Sequence, residues 1–534
     1  MKAGSATDFS ADSSPERLRL GWGLILFILM LQFVSRYLPS PGAVWVADDW
    51  ANAARSSLYA STAEAAWTGL QDPNRPLSML AVEVGYRLFG DRAWIWTLVS
   101  LAGNSLLLLA ILKMVFELTG RRWATAATGV IFALLPNLTE TYHWSTQVLN
   151  EVACGLVPYA LSGWLWVAYM RRGGIWRLAL STLTYGVGLF SYEAGILLPA
   201  AYLVLLPWKK APLKSLLRIA PIGAAGILYL AWRGTNAFGL NQAIYYPPHM
   251  QIGPSLYGIV INTWNLLQWW IGDHMVGSML NGFEAFASVS LWTRRFLFAA
   301  NCGVAVLIGW GLRRLSAADK KEDKNHPFSG RQVALFGLIW TGASMAVSLV
   351  SYAAPRLNVL PAIGISLLAA LALERVPFRL WAPLLLVPTI LALVSNQGTA
   401  ENFRQAGHWN RAINSHLQQT ADEWRGKEFL LFDTQSLRQR QAPGLLRPVN
   451  EDQATWANYG NAPLARGFSF GGMVQLITKS KNPRIQVLHD VEYGARIKGD
   501  QLIWHNRYDP SRPHTNSMAD VFVVDCLTVG QSRP

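Results

Sequence analysis

Residues Arg177 to Lys210 read RLALSTLTYGVGLFSYEAGILLPAAYLVLLPWKK, and this stretch decides the fold. Between Leu178 and Leu206 it carries a single charge, Glu193, and cations close it at both ends. The run exceeds the roughly 20 residues that cross a bilayer once. Arg177 and Lys209 belong on one side by the positive-inside rule, so the chain must enter and return, turning near Ser191-Tyr192-Glu193.

Working outward, apolar runs recur at Gly21–Leu38, Trp94–Met114, Ala124–Pro136, Val152–Tyr169, Ile219–Trp232, Phe296–Trp310, Val333–Val350, Leu357–Leu373 and Leu380–Val394. The 534 residues are 51% hydrophobic and 15% charged, with 24 tryptophans, a balance that a soluble core does not need. The net charge of +14 does not form one basic patch, which argues against nucleic acid as a partner. Instead the cations punctuate the apolar runs: Arg17 and Arg19, Arg121-Arg122, Arg171-Arg172, Lys209-Lys210 with Lys214 and Arg218, Arg313-Arg314 through Lys324, and Arg375 with Arg379. All are assigned to the cytoplasmic side.

The expected fold is an all-α polytopic membrane protein of about eleven to thirteen transmembrane helices with a C-terminal soluble α/β domain. Residues 1–20 form a cytoplasmic tail, and 21–395 a membrane domain with a first outer loop over 39–92. Residues 396–534 form an extracytoplasmic domain, with a helix over Trp409–Trp424 and strands at Phe429–Phe432, Arg484–Leu488 and Ala519–Asp525. Ser255–Ile271 and Val276–Trp292 read as a hairpin or as interfacial helices. The first apolar run resembles a signal-peptide core followed by small residues (PSPGA), but cleavage would remove the anchor just before Asp48, so an uncleaved helix is expected. Cys154, Cys302 and Cys526 are too few for a disulfide framework, and neither a metal cage nor an ATP-binding loop is expected.

The first outer loop carries VADDWANAARSSLYASTAEAAWTGLQDPNRPLSMLAVEVGYRLFG (Val46–Gly90), with Asp48 and Asp49 close to the membrane exit. A carboxylate there could act as general base on an acceptor hydroxyl; Asp49 could equally cap a helix over Trp50–Leu58. Trp50–Trp67 and Leu77–Phe89 are amphipathic and would lie along the interface. The next outer loop, NLTETYHWSTQVLN (Asn137–Asn150), brings Glu140, His143 and Trp144 to the same side, either as a sugar-binding cluster or as an aromatic belt. Glu193, beside Tyr192, interrupts an apolar run where a lone carboxylate is costly, and so marks a functional position. Arg356, at the outer turn Tyr352–Asn358, suits a phosphate through its planar fork. Arg75, Arg87, Arg233, Arg294 and Arg295 are further outer cations suited to an anionic lipid head group.

These residues, in order, resemble the GT-C superfamily of polyprenyl-phosphate-dependent glycosyltransferases, especially the branch of protein O-mannosyltransferases and bacterial O-antigen-modifying transferases. The resemblance rests on Asp48-Asp49, the Arg75-Pro76 step before a helix ending Leu88-Phe89-Gly90, PNLTETYHW, SYE at Ser191–Glu193, and APRLNVLP at Ala354–Pro361, and loosely spans Gly21–Val394. It implies a bacterial inner-membrane enzyme with a periplasmic active site. An acidic residue of the first loop would be the base, a polyprenyl-phosphate sugar the donor, and a surface glycan, lipid or protein the acceptor. Transfer would invert the anomeric centre, and the lipid phosphate would meet Arg356. The chain departs from that branch in having Asn104 where it often has histidine, and in lacking a tetratricopeptide tail. Competing readings are a transporter or lipid-linked glycan flippase, an O-antigen ligase or polymerase that takes a glycan from a lipid diphosphate, and a non-catalytic assembly protein. The sugar, the acceptor, the choice between Asp48 and Asp49, any divalent metal and the oligomeric state stay open at this level.

Overall fold

In the computed structural model the apolar runs are helices whose ends fall where charge or glycine interrupts them. The structure describes residues 21–38, 45, 48–138, 140–209, 211–239, 275–319, 327–350, 358–377, 380–433, 467–480, 483–489, 493, 495–506 and 509–531. Arg356 and the segment Ser255–Ile271 lie outside them, and Asp48 and Glu140 are described by backbone alone.

The chain runs through α1 (Trp22–Tyr37), α2 (Asp48–Ser57), α3 (Thr62–Leu70), α4 (Pro76–Phe89), α5 (Ala93–Thr119) and α6 (Arg122–Leu134). Short α7 (Glu140–His143) and α8 (Ser145–Gln147) lead into a π-helix over Val148–Leu156 and then α9 (Val157–Arg172). There follow α10 (Ile175–Ser191), α11 (Pro199–Leu203), α12 (Pro212–Gly239), α13 (Ser278–Ser288), α14 (Leu291–Asp319), α15 (Gly330–Val350), α16 (Val359–Leu373) and α17 (Val387–Gln419).

Among the described residues, four helical segments are long and apolar enough to cross a bilayer: Ala93–Thr119, Ser145–Arg172, Pro212–Gly234 and Leu291–Ala318. Three shorter apolar helices join them: Trp22–Tyr37, Glu193–Leu203 and Val359–Leu373. The expected helix count is therefore reached only by including pieces shorter than a full span; α6, with 13 residues, is about 20 Å long against a hydrocarbon core of about 30 Å. The bundle turns large apolar side chains outward, including Trp292 at 77% and Phe296 at 73% exposure. Such a surface would associate in water and is at ease in lipid. The protein is thus a membrane-embedded helical bundle.

Charged groups sort the helix ends. Glu117 at the end of α5 accepts from Arg171 (3.1 Å) and Arg172 at the end of α9, and Arg121 meets Glu374 after α16 at 2.7 Å. Arg121-Arg122, Arg171-Arg172 and Arg375 therefore share one end of the bundle, as the sequence led us to expect. At the other end lie α2, α4, α7 and the turn at Glu193.

One boundary differs from expectation. A single helix of 33 residues, α17, runs through the junction expected at 395/396, some 50 Å from bundle to C-terminal domain. No proline interrupts it, and its polar middle is satisfied inside the bundle. Asn396 donates to Ser35 Oγ (2.8 Å) and to the Leu134 carbonyl (3.0 Å), and Gln397 pairs with Asn301. Gly398 allows the closest approach: a Cβ there would stand 1.8 Å from the Gly282 carbonyl oxygen of α13.

Beyond α17 come α18 (Ala421–Trp424), β1 (Phe429–Asp433), α19 (Gly467–Thr478), β2 (Gln486–His489), β3 (Arg496–Lys498), β4 (Gln501–Asn506), β5 (Asp509–Ser517), β6 (Val521–Asp525) and α20 (Cys526–Gln531). The three expected strands form a parallel sheet ordered β2-β1-β6, with Phe429 opposite both Gln486 and Val521. β1 is buried on both faces, so its alternation is apolar on each side. Leu430 and Phe432 pack with Ile413, Leu417 and Trp424, whereas Phe429 and Leu431 pack with Leu502 and Trp504. The latter belong to an antiparallel sheet β3-β4-β5, which the sequence reading did not anticipate because β5, DPSRPHTNS, has two prolines and no apolar alternation.

Candidate active site

Asp48 and Asp49 open α2, where negative charge suits a helix N-terminus. The two are not equivalent. Asp49 is fully buried, and its Oδ1 accepts from the Thr146 backbone N–H (2.8 Å), the Thr146 hydroxyl (2.6 Å) and the Tyr86 hydroxyl. Asn52 donates to Thr146 Oγ1 at 3.0 Å and extends the cluster. Three donors on one oxygen offset the cost of burying a carboxylate and pin α2 to α4 and α8. Asp49 is therefore fastened between α4 and α8.

α4 holds α2 along its length. Ser56 Oγ donates to the Glu83 carbonyl at 2.6 Å, Arg55 pairs with the Glu83 carboxylate, and Arg87 donates to the carbonyls of Ser56 (3.2 Å), Tyr59 (2.8 Å) and Ala60 (3.1 Å). Burial pushes the Glu83 carboxyl above its ordinary value of 4.5, and Arg55 only partly opposes this. The sign follows: the unfolded chain ionises Glu83 first, so this group's contribution to stability is fullest below about pH 4.5 and declines as pH rises through its folded-state titration. Thermal unfolding followed between pH 4 and 8 should show wild type losing stability relative to Glu83→Gln as pH rises; parallel curves would contradict this.

At the other end of α4, Asp72 Oδ1 accepts from the backbone N–H of Asn74 (2.8 Å) and Arg75 (2.7 Å), fixing the turn before Pro76. Arg75 then reaches across to Glu193 in a two-pronged pair, Nε to Oε2 and Nη2 to Oε1, both 3.0 Å. Its guanidinium lies 4.6 Å from the Tyr192 ring centre. The pair keeps 25% and 28% of its side-chain surface, so it faces an opening. Arg233 of α12 acts on Glu193 electrostatically, and its Nη1 is buried with no hydrogen-bond partner among the described residues. Two guanidinium groups against one carboxylate leave this corner able to take an anion.

Between these ends runs the π-helix. Pro158 supplies no N–H and crowds the preceding turn, and the ladder widens just before it. Gln147, the residue before it, is buried, as are Asn150 and Glu151 within it, and Gln147 Oε1 and Asn150 Oδ1 meet no donor among the described residues. Gly155, one turn beyond Glu151, touches Tyr192: a Cβ there would lie 2.8 Å from the tyrosine Cβ. The π-helix therefore links the Asp49–Thr146 cluster to the Arg75–Glu193 corner. Sequence reading missed Glu151, although it too is a lone carboxylate before an apolar run.

Arg75, Tyr192 and Glu193 are thus brought together as one group, with Asp48 and Asp49 at the same end of the bundle. His143 and Trp144 are there as well but fully buried: His143 stacks on Phe403 of α17 at 5.3 Å and meets Tyr37 edge-on at 5.9 Å. Both are buried in this structure, and His143 packs the loop against α1 and α17. Glu140 is on α7, the same loop. Asn104 donates to the carbonyls of Ser100 and Thr141, both at 3.0 Å, a supporting role beneath that loop. Arg36, which sequence reading passed over, is a buried cation that donates to Asn396 Oδ1 (2.8 Å) and the Leu135 carbonyl and lies 4.8 Å from the Tyr142 ring centre.

No family model matches the chain. No curated protein matches it. Among solved structures it is similar to the crystal structure of ArnT from Cupriavidus metallidurans bound to undecaprenyl phosphate, at 14% identity and a TM-score of 0.41, over 87% of this chain and 88% of that one.

Proposed function

We propose that this protein is a membrane glycosyltransferase of the GT-C type that moves one sugar from a polyprenyl-phosphate donor to a glycan, lipid or protein acceptor. The end of the bundle bearing the C-terminal domain faces the periplasm of a bacterial inner membrane. The observation that carries the reading is the sharing of that end by a carboxylate on α2 and a guanidinium corner at Arg75, Glu193 and Arg233. Arg75 precedes the first residue of α4 and Tyr86 lies in its last turn, so this one helix ties the guanidinium corner to the α2 cluster.

In this reaction Asp48 takes the proton of the acceptor hydroxyl as its oxygen attacks the anomeric carbon from the face opposite the phosphate. The bond from that carbon to the phosphate oxygen breaks, the electron pair leaves with polyprenyl phosphate, and the anomeric centre inverts. Arg233, with Arg75 and by sequence Arg356, balances the charge gathering on the departing oxygen. Glu193 and Tyr192 hold Arg75 in place, Glu140 and the buried amide oxygens of Gln147 and Asn150 receive sugar hydroxyls, and His143 and Trp144 act from beneath by packing the loop.

Purified protein in proteoliposomes, offered radiolabelled sugars on polyprenyl monophosphate, on polyprenyl diphosphate and on nucleotides, should use only the monophosphate and release one polyprenyl phosphate per sugar moved. Use of the diphosphate alone would favour a ligase or polymerase, and movement of intact donor across the bilayer without transfer would favour a flippase.

A further inference from the structure

The helix that bears the carboxylates belongs to two cores at once. On one side α2 is tied to the membrane domain through Asp49, Ser56 and the Arg55–Glu83 pair. On the other side Trp50, 3% exposed, is a core residue of the C-terminal domain, packed with Ile413, Leu417, Trp424, Phe470, Met473 and Val474. α19 approaches α2 so closely that a Cβ on Gly472 would stand 2.6 Å from the Ala51 nitrogen and from the Trp50 carbonyl carbon. Trp45, just before α2, is edge-on to Trp50 at 5.1 Å and to Tyr86 at 5.3 Å, and its carbonyl accepts from Asn410 of α17 at 3.2 Å. The two cores are also joined by α17, which passes unbroken from Asn396 and Gln397 in the bundle to Ile413 and Leu417 in the domain.

We propose that the C-terminal domain is a positioning element of the active site, holding α2, and with it Asp48, through the insertion of Trp50 and the close α19–α2 contact at Gly472. This rests on the reading of Asp48 as the base. A domain used only to capture acceptor would have no need to bury a residue two positions from that carboxylate in its own core. A helix clamped from both sides keeps its first turn in register with the donor, and a small shift there separates the base from the hydroxyl it serves.

The test compares Gly472→Ala with Gly471→Ala in the full-length protein in proteoliposomes. Both put the same residue into α19, but a Cβ on Gly471 meets nothing within 4 Å, whereas one on Gly472 presses on the backbone of α2. Gly472→Ala should lower kcat about 100-fold with donor KM unchanged, the scale expected for a displacement near 1 Å. Amide hydrogen exchange should show protection lost over residues 48–57 and kept over β1 and α5, while Gly471→Ala behaves as wild type. If Gly472→Ala does not fold, Trp50→Leu, which keeps an apolar side chain in the same core, should give the same pattern. Unchanged exchange over 48–57, or lost protection with unchanged kcat, would overturn the proposal. If wild type moves no sugar, the glycosyl-transfer reading fails instead, and the exchange comparison alone decides whether the domain holds α2.

Discussion

Asp48→Asn is expected to slow sugar transfer by about 100- to 10,000-fold, the contribution of a well-placed general base, with at most a small fall in the thermal unfolding temperature. Asparagine matches aspartate in size, and the charge lost at the start of α2 is worth only about 0.3–1 kcal/mol, so α2 should still form. What disappears is the basic oxygen. Asp49→Asn should behave differently. The amide is a weaker acceptor and brings an N–H₂ group into a buried site that already supplies two donors from Thr146 and one from Tyr86. The cost should be about 1–3 kcal/mol of stability, seen as a lower unfolding temperature, with a loss of activity that follows the loss of folded protein. Full activity in Asp48→Asn, with an inactive but stable Asp49→Asn, would reverse the assignment.

Arg233→Ala should raise the donor KM by roughly 10- to 100-fold, the equivalent of one charge-assisted hydrogen bond of about 1.5–3 kcal/mol. Arg233 Nη1 is buried without a partner among the described residues, so removing the side chain breaks no described bond and should spare stability. Arg75 makes the sharper contrast. Its fork is engaged by Glu193 and its face by Tyr192, so Arg75→Ala should lower stability as well as donor use. Arg75→Lys should not restore either, because an ammonium cannot reproduce the two-pronged geometry. Donor titrations at saturating acceptor separate these outcomes: equal effects of Arg233→Ala on donor and acceptor KM would count against a phosphate contact.

Much of the bundle was legible because the bilayer imposes a simple code. Apolar runs bounded by Arg and Lys located the helices, although α12 and α14 extend five to nine residues past their runs at each end, and the lone charge in Leu178–Leu206 marked the turn that the structure has at Tyr192–Glu193. The partner of that charge was not legible, since nothing near Arg75 in sequence names a residue more than a hundred positions away. Nor was the helix through 395/396, where polar composition resembles a linker until Asn396 and Gln397 are found satisfied inside the bundle. The burial of His143 and Trp144 was hidden for a related reason: an aromatic on an outer loop has the same letter whether it faces a sugar or, like His143, packs on Phe403. The role of Trp50 depends on Phe470 and Met473 at the far end of the chain, a contact that only the folded domain reveals.

In the proposed transfer a carboxylate at position 48 receives the acceptor's proton. The direct measurement is chemical rescue: Asp48→Gly and Asp49→Gly, each in proteoliposomes with labelled polyprenyl-phosphate sugar, assayed with and without added formate. Formate should restore transfer to Asp48→Gly in proportion to its concentration, with no effect on Asp49→Gly. Undiminished transfer by Asp48→Gly without formate, or rescue of Asp49→Gly alone, would contradict it.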